Sequence, residues 1–171
     1  MQTSKSVVVI DTFILCVWLK VPSKATCGSD DDQWDFERVS KAIDHHVKEK
    51  NSLILPLTSI IETGNHIAQA NGDRYAPAIG LGILMQKAAD AESPWAAFSE
   101  QSDRWTPENL RKLAVEWPPL AAQKLSIGDA TIKDVADYYA KMGCTVTLLT
   151  SDQQLGAYQP APPPMIPRRR K

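Results

Sequence analysis

Val7-Val8-Val9-Ile10-Asp11 is four β-branched aliphatics in a row, closed by a carboxylate. A run that is apolar at every position has no face left for water. It predicts a strand covered on both sides, as in a parallel sheet. The aspartate is the costly part. A carboxylate directly after buried aliphatics loses hydration unless something pairs with it. The next cations after it in sequence, Lys20 and Lys24, lie beyond a predicted helix over Thr12–Lys20 that Val21-Pro22 ends.

The same alternation continues outward. Residues 23–33 read as a polar loop. Trp34–Lys50, with Val39, Ile43 and Val47 spaced by four, reads as an amphipathic helix. Ser52–Leu57 is the second predicted strand, followed by a helix over Ser59–Ala70 that Asn71-Gly72 closes. A third helix spans Ala76–Ala91, with Ile79, Ile83 and Leu84 on its inner face. Ser93–Trp105 has no clean period. Thr106-Pro107-Glu108 starts another helix, with Leu110, Leu113 and Ala114 inward, and Trp117-Pro118-Pro119 is expected to break it. Ile127–Met142 carries the clearest stripe, Ile132, Val135, Ala136 and Tyr139, and stops at Gly143. Cys144–Thr150 is the last strand. Strands alternating with helices imply an α/β fold with a parallel sheet and right-handed crossovers.

That topology makes a prediction about chemistry. Sites in such sheets form beyond the carboxyl ends of the strands. Asp11 and Asp152 follow strand ends directly. Glu62 lies early in the helix after the second strand, and Asp129 in the first turn of a helix leading into a strand. A crossover helix runs antiparallel to its strands, so all four acids should meet at one edge. Four carboxylates in one place call for a divalent cation, and with it hydrolysis of a phosphodiester. Each acid also has a local role open to it. Ser59–Glu62 and Ser126–Asp129 fit capping boxes, and Asp152 fits the cap of a short helix at Gln153–Ala157.

The ordered segments Val-Val-Val-Ile-Asp11-Thr12-Phe, Pro-Leu-Thr-Ser-Ile-Ile-Glu62-Thr-Gly-Asn-His, Leu-Ser-Ile-Gly-Asp129-Ala-Thr-Ile and Thr-Leu-Leu-Thr150-Ser-Asp152 resemble the PIN-domain nuclease pattern. The resemblance runs from residue 7 to about 156. It implies a three-layer α/β/α sandwich with a central parallel sheet, over a domain 1–158, and a metal-dependent ribonuclease. Asp11, Glu62, Asp129 and Asp152 would hold Mg²⁺ or Mn²⁺, with Thr12, Thr150 and Asn65 in supporting positions. It further implies an RNA substrate, an antitoxin-like protein partner in members that are toxins, and a homodimer. The chain differs from the pattern in its Asp30-Asp31-Asp32 loop, in the length of 73–124, and in Gln153-Gln154-Leu155 after the last motif. A non-catalytic PIN-like scaffold for RNA or protein and a structure-specific DNA nuclease are the alternatives. Receiver, dehalogenase and P-loop enzymes are disfavoured: no lysine follows the last strand within reach of Thr150, no Asp-x-Asp ends the first, and no Gly-x-x-x-x-Gly-Lys run exists.

Composition narrows the partners. With 43% hydrophobic and 23% charged residues the chain has the profile of a folded, non-membrane domain. Four of its 19 basic residues are Arg168, Arg169, Arg170 and Lys171, so the remainder has 15 basic against 20 acidic residues, a net of −5. Nucleic acid would thus be held locally, not over a broad basic surface. Cys16, Cys27 and Cys144 show no metal or disulfide spacing, which fits a reducing, cytoplasmic setting. Residues 6–19 resemble a signal peptide in polarity, but Asp11 interrupts them. The Pro-rich basic tail 159–171 is expected to be extended and disordered. His45-His46 reads as solvated helix surface, and Trp95, Trp105 and Trp117 as packing residues.

Overall fold

The computed structural model describes residues 4–164; the basic tail end at 168–171 lies outside them. In chain order the elements are β1 (Ser6–Ile10), α1 (Thr12–Trp18), β2 (Thr26–Cys27), β3 (Trp34–Asp35), α2 (Phe36–Lys48), β4 (Ser52–Ile54), α3 (Leu57–Gln69), α4 (Tyr75–Ala89), a 3₁₀ helix (Phe98–Trp105), α5 (Pro107–Ala122), α6 (Ile127–Lys141), β5 (Thr145–Leu149) and α7 (Gln153–Gly156). β1 is the central strand of a parallel sheet ordered β4-β1-β5. Val8 faces Leu53 in β4 and Thr147 in β5.

Alternation along β1 splits the core in two. Val8 and Ile10 pack with Ile14 and Leu15 of α1 and with Val39 and Ile43 of α2. Val7 and Val9 pack on the other face with Ile132, Val135, Ala136 and Tyr139 of α6. Val7–Ile10 are 0–1% exposed, so β1 is covered on both sides, as a run with no polar position requires. Each aliphatic so buried contributes ~1.5–3 kcal/mol. The α/β class and the parallel sheet flanked by helices are as expected.

α6 ends where expected. Gly143 adopts φ +82, its N–H bonds to Ala140 O, and the Cys144 N–H reaches back to Tyr139 O, the double bond of a glycine-terminated helix. Cys16, Cys27 and Cys144 are buried and free.

Several expectations need correction. The second strand stops at Ile54, because Pro56 caps α3 and Leu57 is already helical. The loop 23–33 contains β2, and Trp34–Asp35 is a strand pairing with it, with Asp35 capping α2 through Arg38 N. Ile79 and Ile83 of α4 are 48% and 47% exposed; Leu84 packs against the core as expected, and Leu81, Pro77 and Ala88 face inward with it. α5 does not break at Pro118-Pro119 but runs on to Ala122. The carbonyls that lose their donors belong to Ala114 and Val115, both exposed, so water can bond them. Leu110 is 59% exposed and Ala114 is exposed, so of the predicted inner face only Leu113 is half-buried, and none of α5's residues is fully buried. The indole of Trp117 donates to Leu125 O, tying α5 to the turn before α6.

The unassigned stretch before residue 105 also acts on the sheet. Trp95 makes a parallel bridge to Leu53, through Leu53 N to Pro94 O and Ala96 N to Leu53 O, and so covers the free edge of β4. On the opposite edge, the Gln159 carboxamide accepts from Leu148 N at 2.7 Å and donates to Val146 O. The first residue of the expected tail is therefore docked on β5. Among the described residues no helix is long and apolar enough to cross a membrane.

Candidate functional site

All four predicted acids line one cleft beyond the carboxyl end of the sheet. Its volume is about 360 Å³, and its walls are Asp11, Thr12, Phe13, Glu62, Asn65, His66, Ser126, Asp129 and Asp152. No lysine or arginine is among them.

Asp11 is fixed first. Its N–H bonds to Leu149 O, continuing the β1–β5 ladder one step, and its carbonyl accepts from Leu15 N to start α1. Its carboxylate, 3% exposed, accepts from Thr12 N at 2.6 Å and from the Thr150 hydroxyl at 2.8 Å. Burial pushes its pKa up to about 7, against these two donors and with the charges of Asp129 and Asp152 adding to the rise. Thr150 also accepts from Asp152 N at 3.0 Å, so one hydroxyl joins two of the acids.

Glu62 is placed by α3. Ser59 donates to Ile10 O at 2.8 Å, anchoring the helix start on the end of β1. Ser59 is thereby not a cap, and the capping-box reading of Glu62 falls away. The carboxylate of Glu62 accepts instead from the Thr12 hydroxyl at 2.7 Å. Gly128 makes room for it: a Cβ there would fall 2.2 Å from Glu62 Oε1.

Asp129 and Asp152 combine cleft and cap. Ser126 Oγ accepts from Asp129 N at 3.0 Å and donates to the Asp129 carboxylate at 2.8 Å. Burial raises the Asp129 pKa, Ser126 opposes it, and the charges of Asp152 and Glu62 raise it further. Asp152 caps α7 through Gln154 N at 2.7 Å and Leu155 N at 3.2 Å.

The four acids do not meet at a point. Among the described residues no three His, Cys, Asp or Glu side chains are gathered closely enough to hold a metal as they stand. Each carboxylate is engaged by a hydroxyl or an amide. The donor chemistry nonetheless suits a hard cation: all oxygen, one carboxylate buried and held near neutrality in pKa, and space left by a glycine. Thr12 and Thr150 are where the sequence put them, each donating to a site carboxylate. Asn65 is exposed on the cleft wall.

Sequence reasoning missed Phe13, His66 and Ser126 as cleft walls, and Gly128 as the residue that makes room for Glu62. His66 lies four residues, one helical turn, beyond Glu62, a spacing that could have flagged it. Its imidazole pKa is lowered by burial and by Lys24, with Glu62 opposing. His45-His46 lies outside the cleft, and Trp95 is a buried packing residue, as read from sequence. No protein-family model matches the chain, and no curated protein or solved structure is significantly similar to it.

Proposed function

We propose that this chain is a metal-dependent endoribonuclease of the PIN-like type. One observation carries the reading. Four carboxylates from four separate segments line one cleft without a lysine or arginine at the carboxyl edge of a parallel sheet, and the one nearest the core, Asp11, is almost fully buried. Structural caps alone do not require that convergence, and a buried carboxylate without a cationic partner is destabilising in the ionised form.

Asp11 and Asp129 would be the principal ligands of Mg²⁺ or Mn²⁺, with Glu62 and Asp152 binding directly or through water. Such an ion supplies Lewis acidity, acidifying water and offsetting charge on the phosphate. The chain's own residues orient these groups. Thr150 and the Thr12 N–H hold the Asp11 carboxylate in one rotamer, the Thr12 hydroxyl holds Glu62, and Ser126 holds Asp129. The buried flank of Asp11 keeps bulk water from screening the charges.

The test is cleavage of a labelled single-stranded RNA with Mn²⁺ or Mg²⁺ against EDTA, for wild type and Asp129→Asn. The expected result is metal-dependent cutting that falls to the chelated background in the variant. No cutting by wild type, together with no Mn²⁺ binding, rejects the nuclease and favours a non-catalytic scaffold.

A further inference from the structure

A second groove adjoins the carboxylate cleft and shares two of its walls, Phe13 and Asp152. It holds about 520 Å³ and is further lined by Lys24, Ser23, Thr26, Ser29, Ser151 and Gln153. The two spaces differ in charge. The cleft has four acids and no lysine or arginine; the groove has only the shared Asp152, set against a lysine and a set of hydroxyls. Each is the size of a small-molecule pocket, so together they have room for successive nucleotides.

Phe13 stands between them and is out of place by ordinary packing. Its neighbours in α1, Thr12 and Ile14 to Val17, are all buried, yet Phe13 is 41% exposed. Its ring lies 5.4 Å from the His66 ring, and the Lys24 ammonium sits 5.3 Å from its centroid. A partly exposed phenyl ring at the lip of an acidic cleft, with an ammonium over it that can turn to a phosphate and free the ring, has the parts of a single-strand binding step: a π-face for a base and a cation for a phosphate.

We propose that single-stranded RNA passes from the carboxylate cleft over Phe13 into this groove, Phe13 stacking one base and Lys24 pairing with a neighbouring phosphate. This rests on the ribonuclease reading above. The groove's hydroxyl side chains and the Gln153 carboxamide are suited to the ribose 2′-hydroxyl, which separates RNA from DNA. Phe13 and Lys24 are positioning residues; neither belongs to the carboxylate set. Lys24 supplies locally the charge that the acidic body of the chain lacks.

The test is steady-state cleavage of a short labelled oligouridine in Mn²⁺, with Phe13→Ala, Phe13→Leu, Phe13→Tyr and Lys24→Gln. Phe13→Ala should raise KM about 10-fold or more, the loss of one stacked base, with kcat nearly unchanged. Phe13→Tyr should restore KM. Phe13→Leu, apolar but without a π-face, should not. Lys24→Gln should raise KM and reduce the dependence of log KM on log salt by ~0.7, one phosphate contact on a single strand. The oligodeoxyuridine should be the poorer substrate.

If wild type cuts RNA but KM is indifferent to Phe13→Ala, or leucine serves as well as tyrosine, the path is wrong and the nuclease stands. If DNA is used as well as RNA, the ribose recognition is wrong. If wild type cuts nothing, the ribonuclease reading falls and the path falls with it.

Discussion

Gly128 lies in the first turn of α6 against the Glu62 carboxylate. A methyl group at this position would sit 2.2 Å from Glu62 Oε1 and 3.2 Å from Thr58 Cγ2. Glycine costs a helix roughly 1 kcal/mol against alanine, so the fold gains nothing from it. What it provides is the room in which Glu62 accepts from Thr12. Gly128→Ala should therefore separate stability from activity. The Glu62 tip is flexible and can swing away, which spares the fold but breaks its bond to the Thr12 hydroxyl. The urea midpoint should move by no more than the equivalent of ~1 kcal/mol, while metal-dependent cleavage falls by about 10–100-fold. Parallel loss of both would mean that Gly128 serves packing alone.

At the scale of elements, β5 is an edge strand completed by a side chain. The Gln159 carboxamide supplies both an acceptor for Leu148 N and a donor to Val146 O, replacing one rung of a missing strand. Gln159→Ala should cost about 1–2 kcal/mol in chemical denaturation, one buried backbone pair left to find water. A neutral result would show that the edge is satisfied without it. This contact was invisible in the sequence, where Gln159 opens a proline-rich stretch with no period. β1 and α6 were legible because one is apolar at every position and the other has an unbroken stripe. α5 was not. Leu110, Leu113 and Ala114 have helical spacing, but spacing cannot say whether a face is covered, and Leu110 is exposed. Pro118 and Pro119 end helices by their local chemistry, yet here the carbonyls they orphan point to water. The four acids were legible because strand ends and helix starts fix where side chains stand in a parallel sheet. Phe13 and Gly128 were not, since their part depends on which loops flank the cleft and on atoms tens of residues away, whereas the spacing of His66 from Glu62 was a signal left unread.

Gathering carboxylates at the edge of a buried sheet sets the whole molecule's stability against its site. The Asp11 carboxyl, ordinarily near 3.8, is pushed up to about 7 by burial, with Thr150 and the Thr12 N–H opposing and Asp129 and Asp152 adding to the rise. Between those two values the folded chain binds a proton that the unfolded chain has released. Stability is then fully present below 3.8 and is lost as pH rises through 7, by about 4 kcal/mol at full ionisation. This direction is opposite to that of an ion-paired aspartate. It is a property of the metal-free protein, so the measurement is urea unfolding in EDTA at about pH 4, 6 and 8. The slope should be steeper in wild type than in Asp11→Asn, which has no proton to lose. Mn²⁺ should reverse the effect where it is largest, because the cation binds the ionised carboxylate and competes with protons for it. At 100 times its Kd the ion adds ~2.7 kcal/mol, and this gain should be full near pH 8, vanish near pH 4, and be lost in Asp11→Asn. A wild type whose midpoint ignores both pH and Mn²⁺ would mean that Asp11 ionises in the fold as it does in the unfolded chain and holds no ion, and the carboxylate cluster would no longer call for a cation.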